Sequence, residues 1–179
     1  MNAFVFPGQG SQHLGMGADL YNSNRKAQQI FEDANDILGF KITDIMFGED
    51  QEALKQTNIT QPAIYIHSMV IALIADKFFK PNAVAGHSLG EFTALAAANY
   101  ISFEDGLRLV HKRAIAMQEA CEKNESSMAA IVGLDDNTVE DVCSQSKETL
   151  VAANYNCPGH IVISGTINAV NIAVSYTHL

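Results

Sequence analysis

The chain has 179 residues, 47% of them hydrophobic and 17% charged, with no low-complexity stretch, which excludes a disordered protein and fits one ordinary domain or one domain with a small appendage. Its 11 Lys and Arg stand against 20 Asp and Glu, a net charge of −9 that excludes a nucleic-acid partner, because phosphate binding needs clustered cations. The 3 cysteines, Cys121, Cys143 and Cys157, lack Cys-x-x-Cys spacing, so they are expected to be buried thiols of a reducing cytosol and neither a disulfide frame nor a metal site.

In chain order, Ala3-Phe4-Val5-Phe6 reads as a short buried strand ended by the loop "PGQGSQ". The start "MNAFVFPGQG" has no basic flank and breaks at Pro7-Gly8, which is not the pattern of a signal peptide. Helical periodicity follows over about 22–38 and about 61–79, the second with Thr60 as its expected N-cap and Pro62 in its first turn. The apolar segment "AIYIHSMVIALIA", 63–75, carries His67 and Ser68 and is shorter than the roughly 20 residues a bilayer requires, so it is expected to be a buried helix and not a membrane span. "NAVAGHS" supplies a second buried strand and "LGEFTALAAAN" a helix directly after it, a parallel α/β unit whose ligands gather at the carboxyl ends of its strands.

Ser102-Phe103-Glu104-Asp105 resembles a capping box and opens a helix to about Cys121. At about 100° per residue, Phe103, Leu107, Val110, Ala114, Met117 and Cys121 share one apolar face. Arg113 falls at the edge of that stripe, where partial burial suits a cation meant for an anionic partner. Beyond it the texture changes to "MAAIVGL" (strand), "DDNTVEDVCSQSK" (helix from the Asp135-Asp136 pair), "TLVAANYN" and "HIVISG" (strands) and "TINAVNIAV" (helix). This order is one strand short of a ferredoxin-like unit. A boundary is expected near 124–127, dividing the chain into 1–125, 126–173 and a tail, 174–179, whose "VSYTHL" does not continue the pattern.

The centre of the chain is Gly86-His87-Ser88-Leu89-Gly90. A nucleophilic serine on a sharp strand-to-helix turn needs small residues two positions to either side, and the two glycines supply them. His87, adjacent to Ser88, should point away from it. The free N–H of Leu89 at the helix start can receive an oxyanion, and the "PGQGSQ" loop offers the N–H of Gln9 as a second donor.

"FPGQGSQ", "TQPA" (60–63), "GHSLGE" (86–91), "RAIAMQEA" (113–120), "MAAIVGL" (128–134) and "NYNCPGHIVISG" (154–165) resemble, in order and spacing, the bacterial malonyl-CoA:acyl carrier protein transacylases, over about 3–173. The resemblance implies an α/β fold: an α/β-hydrolase-like large subdomain with a parallel sheet and a serine elbow, plus an incomplete ferredoxin-like small subdomain. It implies Ser88 as the acyl nucleophile and the N–H groups of Gln9 and Leu89 as the oxyanion hole. Arg113 would grip the malonyl carboxylate at two points, with Gln61 and Asn156 as supporting hydrogen-bonding residues near the substrate. Malonyl-CoA and acyl carrier protein would be the partners in fatty-acid biosynthesis, in the cytoplasm, with no cofactor, nucleic acid or membrane.

In that family the general base is a histidine beyond the small subdomain. This sequence is expected to stop before it, leaving a chain that is inactive or nearly so. His178 is too close to "HIVISG" to take the role, and His13, His67, His111 and His160 match no base position. Two rival readings stand beside the transferase: a serine esterase or thioesterase, and a non-catalytic fragment binding CoA or carrier protein. Because carrier proteins are acidic, attraction to this acidic chain would rest on a local patch such as Lys112 and Lys123.

Overall fold

A computed structural model describes residues 1–123 and 125–176, and the chain divides into two compact units, Met1–Gln118 and Glu119 onward. The division falls inside a helix, a little before the boundary expected from composition, part of which, Asn124, lies outside the described residues.

In the first unit, β1 (Ala3–Phe6) pairs in parallel with β2 (Ala83–Gly86), Phe6 opposite Gly86, so both strands end at the same edge. Between them lie α1 (Ala18–Ser23), α2 (Arg25–Leu38), α3 (Ile42–Phe47), α4 (Gln51–Lys55) and α5 (Thr57–Ala75); α6 (Gly90–Ala97) and α7 (Phe103–Lys123) follow β2. The strands are less buried than expected. Phe6 packs with Ala72 of α5, Ala94 of α6 and Val84, whereas Val5 points the other way and is 76% exposed, because no element of this unit covers that face.

The first unit is otherwise held by its helices. Phe31, Ile42, Met46, Ile64, Tyr65, Ile66, Met69, Leu89 and Leu107 are fully buried in one cluster. Helix α2 starts at Arg25, later than the periodicity implied, because the Asn24 side chain accepts from the N–H groups of Lys26 and Ala27. Helix α5 starts earlier than expected, at Thr57, with Gln56 as its N-cap. Thr60 therefore does not cap; it is buried in the second turn, where its hydroxyl donates to the Leu54 carbonyl at 2.5 Å. With the short 3₁₀ turn after it, the helical stretch Thr57–Phe78 is long and apolar enough to cross a membrane, and 67% of its apolar 18-residue window is buried inside the protein.

Helix α7 opens as the capping motif requires: the Asp105 N–H donates to Ser102 Oγ at 3.0 Å and that hydroxyl donates to the Asp105 carboxylate at 2.7 Å. Its apolar face is shorter than the periodicity predicted. Leu107, Val110 and Ala114 are buried, but Met117 and Cys121 are exposed.

The second unit contains β3 (Ser126–Val132), α8 (Asp136–Ser144), β4 (Leu150–Cys157), β5 (His160–Thr166) and α9 (Ile167–Tyr176). Both β3 and β4 run antiparallel to β5, which lies between them, so β3 and β4 are parallel to each other and joined through α8. That is the split βαβ arrangement of a ferredoxin-like fold, followed by its second helix. Asp135 caps α8 by accepting from the Thr138 N–H at 3.0 Å. Ile131, Ile161, Ile163 and Leu150 pack beneath Val139, Val170 and Ala173 of the helices. Helix α9 includes Val174 to Tyr176, residues the sequence reading set apart as a tail. Of the cysteines, Cys143 is buried as expected; Cys121 and Cys157 are exposed, one on the last turns of α7 and the other at the end of β4.

Candidate active site

The turn after β2 is shaped by what its glycines exclude. A Cβ on Gly86 would fall onto the Gly90 carbonyl, far inside the 3.0 Å that real Cβ atoms keep, and one on Gly90 would lie 2.8 Å from the Pro7 carbonyl oxygen and nearer still to that of Phe6. Strand, turn and helix thus touch backbone to backbone. Between these glycines Ser88 is forced to φ 56, a left-handed conformation that costs a side-chain-bearing residue about 1–2 kcal/mol. The same turn leaves Ser88 exposed at the start of α6, as a nucleophile must be.

His87 is directed at the first loop. Its N–H donates to the Phe6 carbonyl at 3.0 Å, and its ring lies over the first loop, where a Cβ on Gly8 would be 2.7 Å from Nδ1. The N–H groups of Gly90 and Glu91 are taken by the carbonyls of His87 and Ser88. Among the described residues the N–H groups of Gln9 and Leu89 donate to no protein acceptor, so both remain available to an oxyanion. Gln9 is on the loop after β1, and its side-chain amide donates to the Thr57 hydroxyl at 3.4 Å, tying that loop to the start of α5.

Arg113 arrives from α7. At Gly106 the helix comes so close to α5 that a Cβ there would strike the Tyr65 hydroxyl, which donates to the Phe103 carbonyl at 2.9 Å. About two turns further along α7 stands Arg113, and one turn back along α5 stands Gln61. The half-buried Arg113 donates from Nη2 to Ser88 Oγ at 2.9 Å and from Nη1 to Gln61 Oε1 at 2.6 Å. Gln61 is 1% exposed, and its amide nitrogen donates to the Met117 sulfur at 3.3 Å.

Ser88, Leu89, Arg113 and Gln61 therefore meet in one place, and Gln9 is on the loop of the same unit whose Pro7 and Gly8 pack against the serine turn. Asn156 lies on β4 of the second unit. Sequence reasoning missed Met117, which it assigned to the apolar face of α7; the signal was its position one turn after Arg113. His13 and His67 face each other with ring centroids 6.1 Å apart, His111 packs on Phe40 and His160 is on β5; His178 lies outside the described residues.

The site thus brings a strained, exposed serine under an arginine, beside the N–H of Leu89, which has no protein acceptor among the described residues. Comparison with known proteins places the chain in a family. The model of the acyl transferase domain family matches residues 3–177. The malonyl CoA-acyl carrier protein transacylase of Staphylococcus aureus strain MRSA252 is 43% identical over 166 residues, 91% of this chain and 54% of the relative. The solved acyl-carrier-protein-S-malonyltransferase of Bartonella henselae superposes with a TM-score of 0.91 at 41% identity, covering 99% of this chain and 59% of that one. A malonyl-transacylase solved in complex with its type II PKS acyl-carrier protein gives a TM-score of 0.89 at 37% identity, covering 98% of this chain and 58% of its own. The chain thus spans about half the length of the curated relatives it matches.

Proposed function

The chain belongs to the acyl transferase domain family, and from that premise we propose that its site carries a malonyl group from malonyl-CoA to the pantetheine thiol of an acyl carrier protein, by way of a malonyl-Ser88 ester. Ser88 Oγ attacks the thioester carbonyl, and the N–H groups of Gln9 and Leu89 hold the oxyanion; in comparable sites one such donor is worth about 2.7–4 kcal/mol of barrier. The C–S bond then breaks, CoA leaves as the thiol, and the carrier thiol attacks the ester in the same manner. Arg113 receives the malonyl carboxylate, and Gln61 holds the guanidinium in place. The reaction requires no cofactor and belongs to fatty-acid biosynthesis in the cytoplasm, with Lys112 as a cationic contact for the acidic carrier.

The observation that carries this reading is the Arg113 guanidinium on the Ser88 hydroxyl, at 2.9 Å. An esterase for neutral acyl groups has no use for a fixed cation at that place, and a mere binding fragment has no use for a strained serine. The described partner of the hydroxyl is that guanidinium and not an imidazole, and general-base help typically contributes 10²–10⁴-fold.

Intact-mass measurement after exposure to malonyl-CoA tests it. A malonyl adduct should form on wild type, not on Ser88→Ala, and Arg113→Ala should lose it without losing its reaction with acetyl-CoA. An adduct that survives Ser88→Ala, or malonyl uptake indifferent to Arg113→Ala, would refute the reading.

A further inference from the structure

We infer that Arg113 is a gate on the nucleophile as well as a receiver of the carboxylate: in the empty site it holds Ser88 in an unreactive state, and an acyl group bearing a carboxylate frees the serine by drawing Arg113 off it. The inference rests on the proposed acyl-transfer reading and adds to it a kinetic basis for selecting acidic acyl groups.

The geometry carries the argument. Nη2 of Arg113 donates to Ser88 Oγ at 2.9 Å, an ordinary charge-assisted hydrogen bond. A hydroxyl oxygen has two lone pairs, and the one receiving a cationic donor is the one whose electron density is most withdrawn from attack. The guanidinium also fills space. An acyl carbon must come to roughly 3–3.5 Å of the nucleophile before reaction, and Nη2 already occupies that shell. In a malonyl thioester the carboxylate is only two bonds from the carbonyl carbon, so the group that displaces Nη2 from the serine brings with it the anion that Nη2 prefers.

Gln61 makes the movement a pivot. Its Oε1 accepts from Nη1 at 2.6 Å, and its orientation is set by its own donation to Met117, so one arm of the fork stays tethered while the other turns from hydroxyl to carboxylate. A neutral acyl group provides nothing for Nη2 to turn to, and the serine stays covered. A site with Arg113 only as a carboxylate receiver would discriminate through affinity alone; this one discriminates in the rate at which Ser88 becomes available.

The gate is separable from malonyl transfer by a neutral acylating probe. With p-nitrophenyl acetate, the Ser88 oxygen forms a bond to the acetyl carbon, the acetyl-oxygen bond to p-nitrophenolate breaks, and the serine proton passes to the buffer. The 179-residue chain is treated with this probe in sodium acetate or in sodium chloride of equal ionic strength, and phenolate release and the mass of the Ser88 peptide are followed. Acetate, which fills only the carboxylate position, should accelerate labelling about three- to tenfold, the range expected for removing one hydrogen bond from the attacking oxygen. Arg113→Gln should label faster than wild type in chloride and ignore acetate; Gln61→Leu, which loosens the tether, should label at an intermediate rate. Labelling that is unchanged or slowed by acetate in the wild type, or no faster in both variants, overturns the gate while the nucleophile stands. No labelling of Ser88 in wild type, Arg113→Gln or Gln61→Leu overturns the nucleophile as well, and the proposed function with it.

Discussion

Replacing Gly86 by alanine is the sharpest test of how the serine turn is built. The added carbon has no open direction: its neighbours would be the Gly90 carbonyl and the Glu91 amide nitrogen, all backbone of the first turn of α6. Overpacking against movable side chains costs typically 1–3 kcal/mol. Here no rotamer change relieves the clash; α6 must move away from β2, and with it the contacts of buried Leu89, Ala94 and Ala96. A cost at or above about 3 kcal/mol follows. With a urea dependence of roughly 1–3 kcal/mol per molar, the unfolding midpoint should drop by about 1 M or more. Urea titration followed by circular dichroism measures it, with Ala85→Gly on the same strand as the comparison, expected to lose only about 0.5–1 kcal/mol. A Gly86→Ala midpoint as close to wild type as that of Ala85→Gly would refute the close backbone contact at the turn.

Two further outcomes follow from neighbouring features. Because Ser88 sits at φ 56, Ser88→Gly should be more stable than Ser88→Ala by about 1 kcal/mol although both lose the hydroxyl, a difference readable from paired urea midpoints. His67 is held below the ordinary imidazole pKa of 6.5, first by burial and then by the facing His13, with Asp19 opposing. Its folded pKa is thus below its unfolded one, so the neutral ring favours the native state above about pH 6.5, and that contribution is lost as the pH falls below it. Thermal melts from pH 7.5 to 5 should show a fall in midpoint that His67→Gln makes shallower.

Much of this was legible in the sequence because it rests on local rules. The strands β1 and β2, the turn glycines and the caps at Ser102 and Asp135 are written in runs of a few residues, and the second unit's element order alone implied the split βαβ sheet. What was not legible depends on partners distant in the chain. The polar-looking "TNIT" joined α5 because Ile59 and Thr60 are buried in the helical core, which overrides the capping preference of a threonine. The apolar face of α7 ended at Ala114 because burial depends on what lies opposite the helix and not on periodicity alone. Helix phase placed Arg113 at the edge of a stripe, but only tertiary packing brings Gln61 to one nitrogen and Ser88 to the other.

The site is therefore a property of the helical core as much as of the serine turn. Ser88 is positioned by β1 and β2, through the His87 N–H on Phe6 and the Gly90 backbone against the same carbonyl. Arg113 is positioned by α5 and α7, which are brought together where Gly106 admits Tyr65. These are separate supports, and the 2.9 Å contact between guanidinium and hydroxyl is the point at which they meet. Strain at Ser88 persists because backbone contacts on both sides over-determine it, while the guanidinium is held by side chains alone, Gln61 on Nη1 and Ser88 on Nη2. A serine locked by backbone beside a cation held only by side chains is the pairing on which the proposed acyl transfer rests.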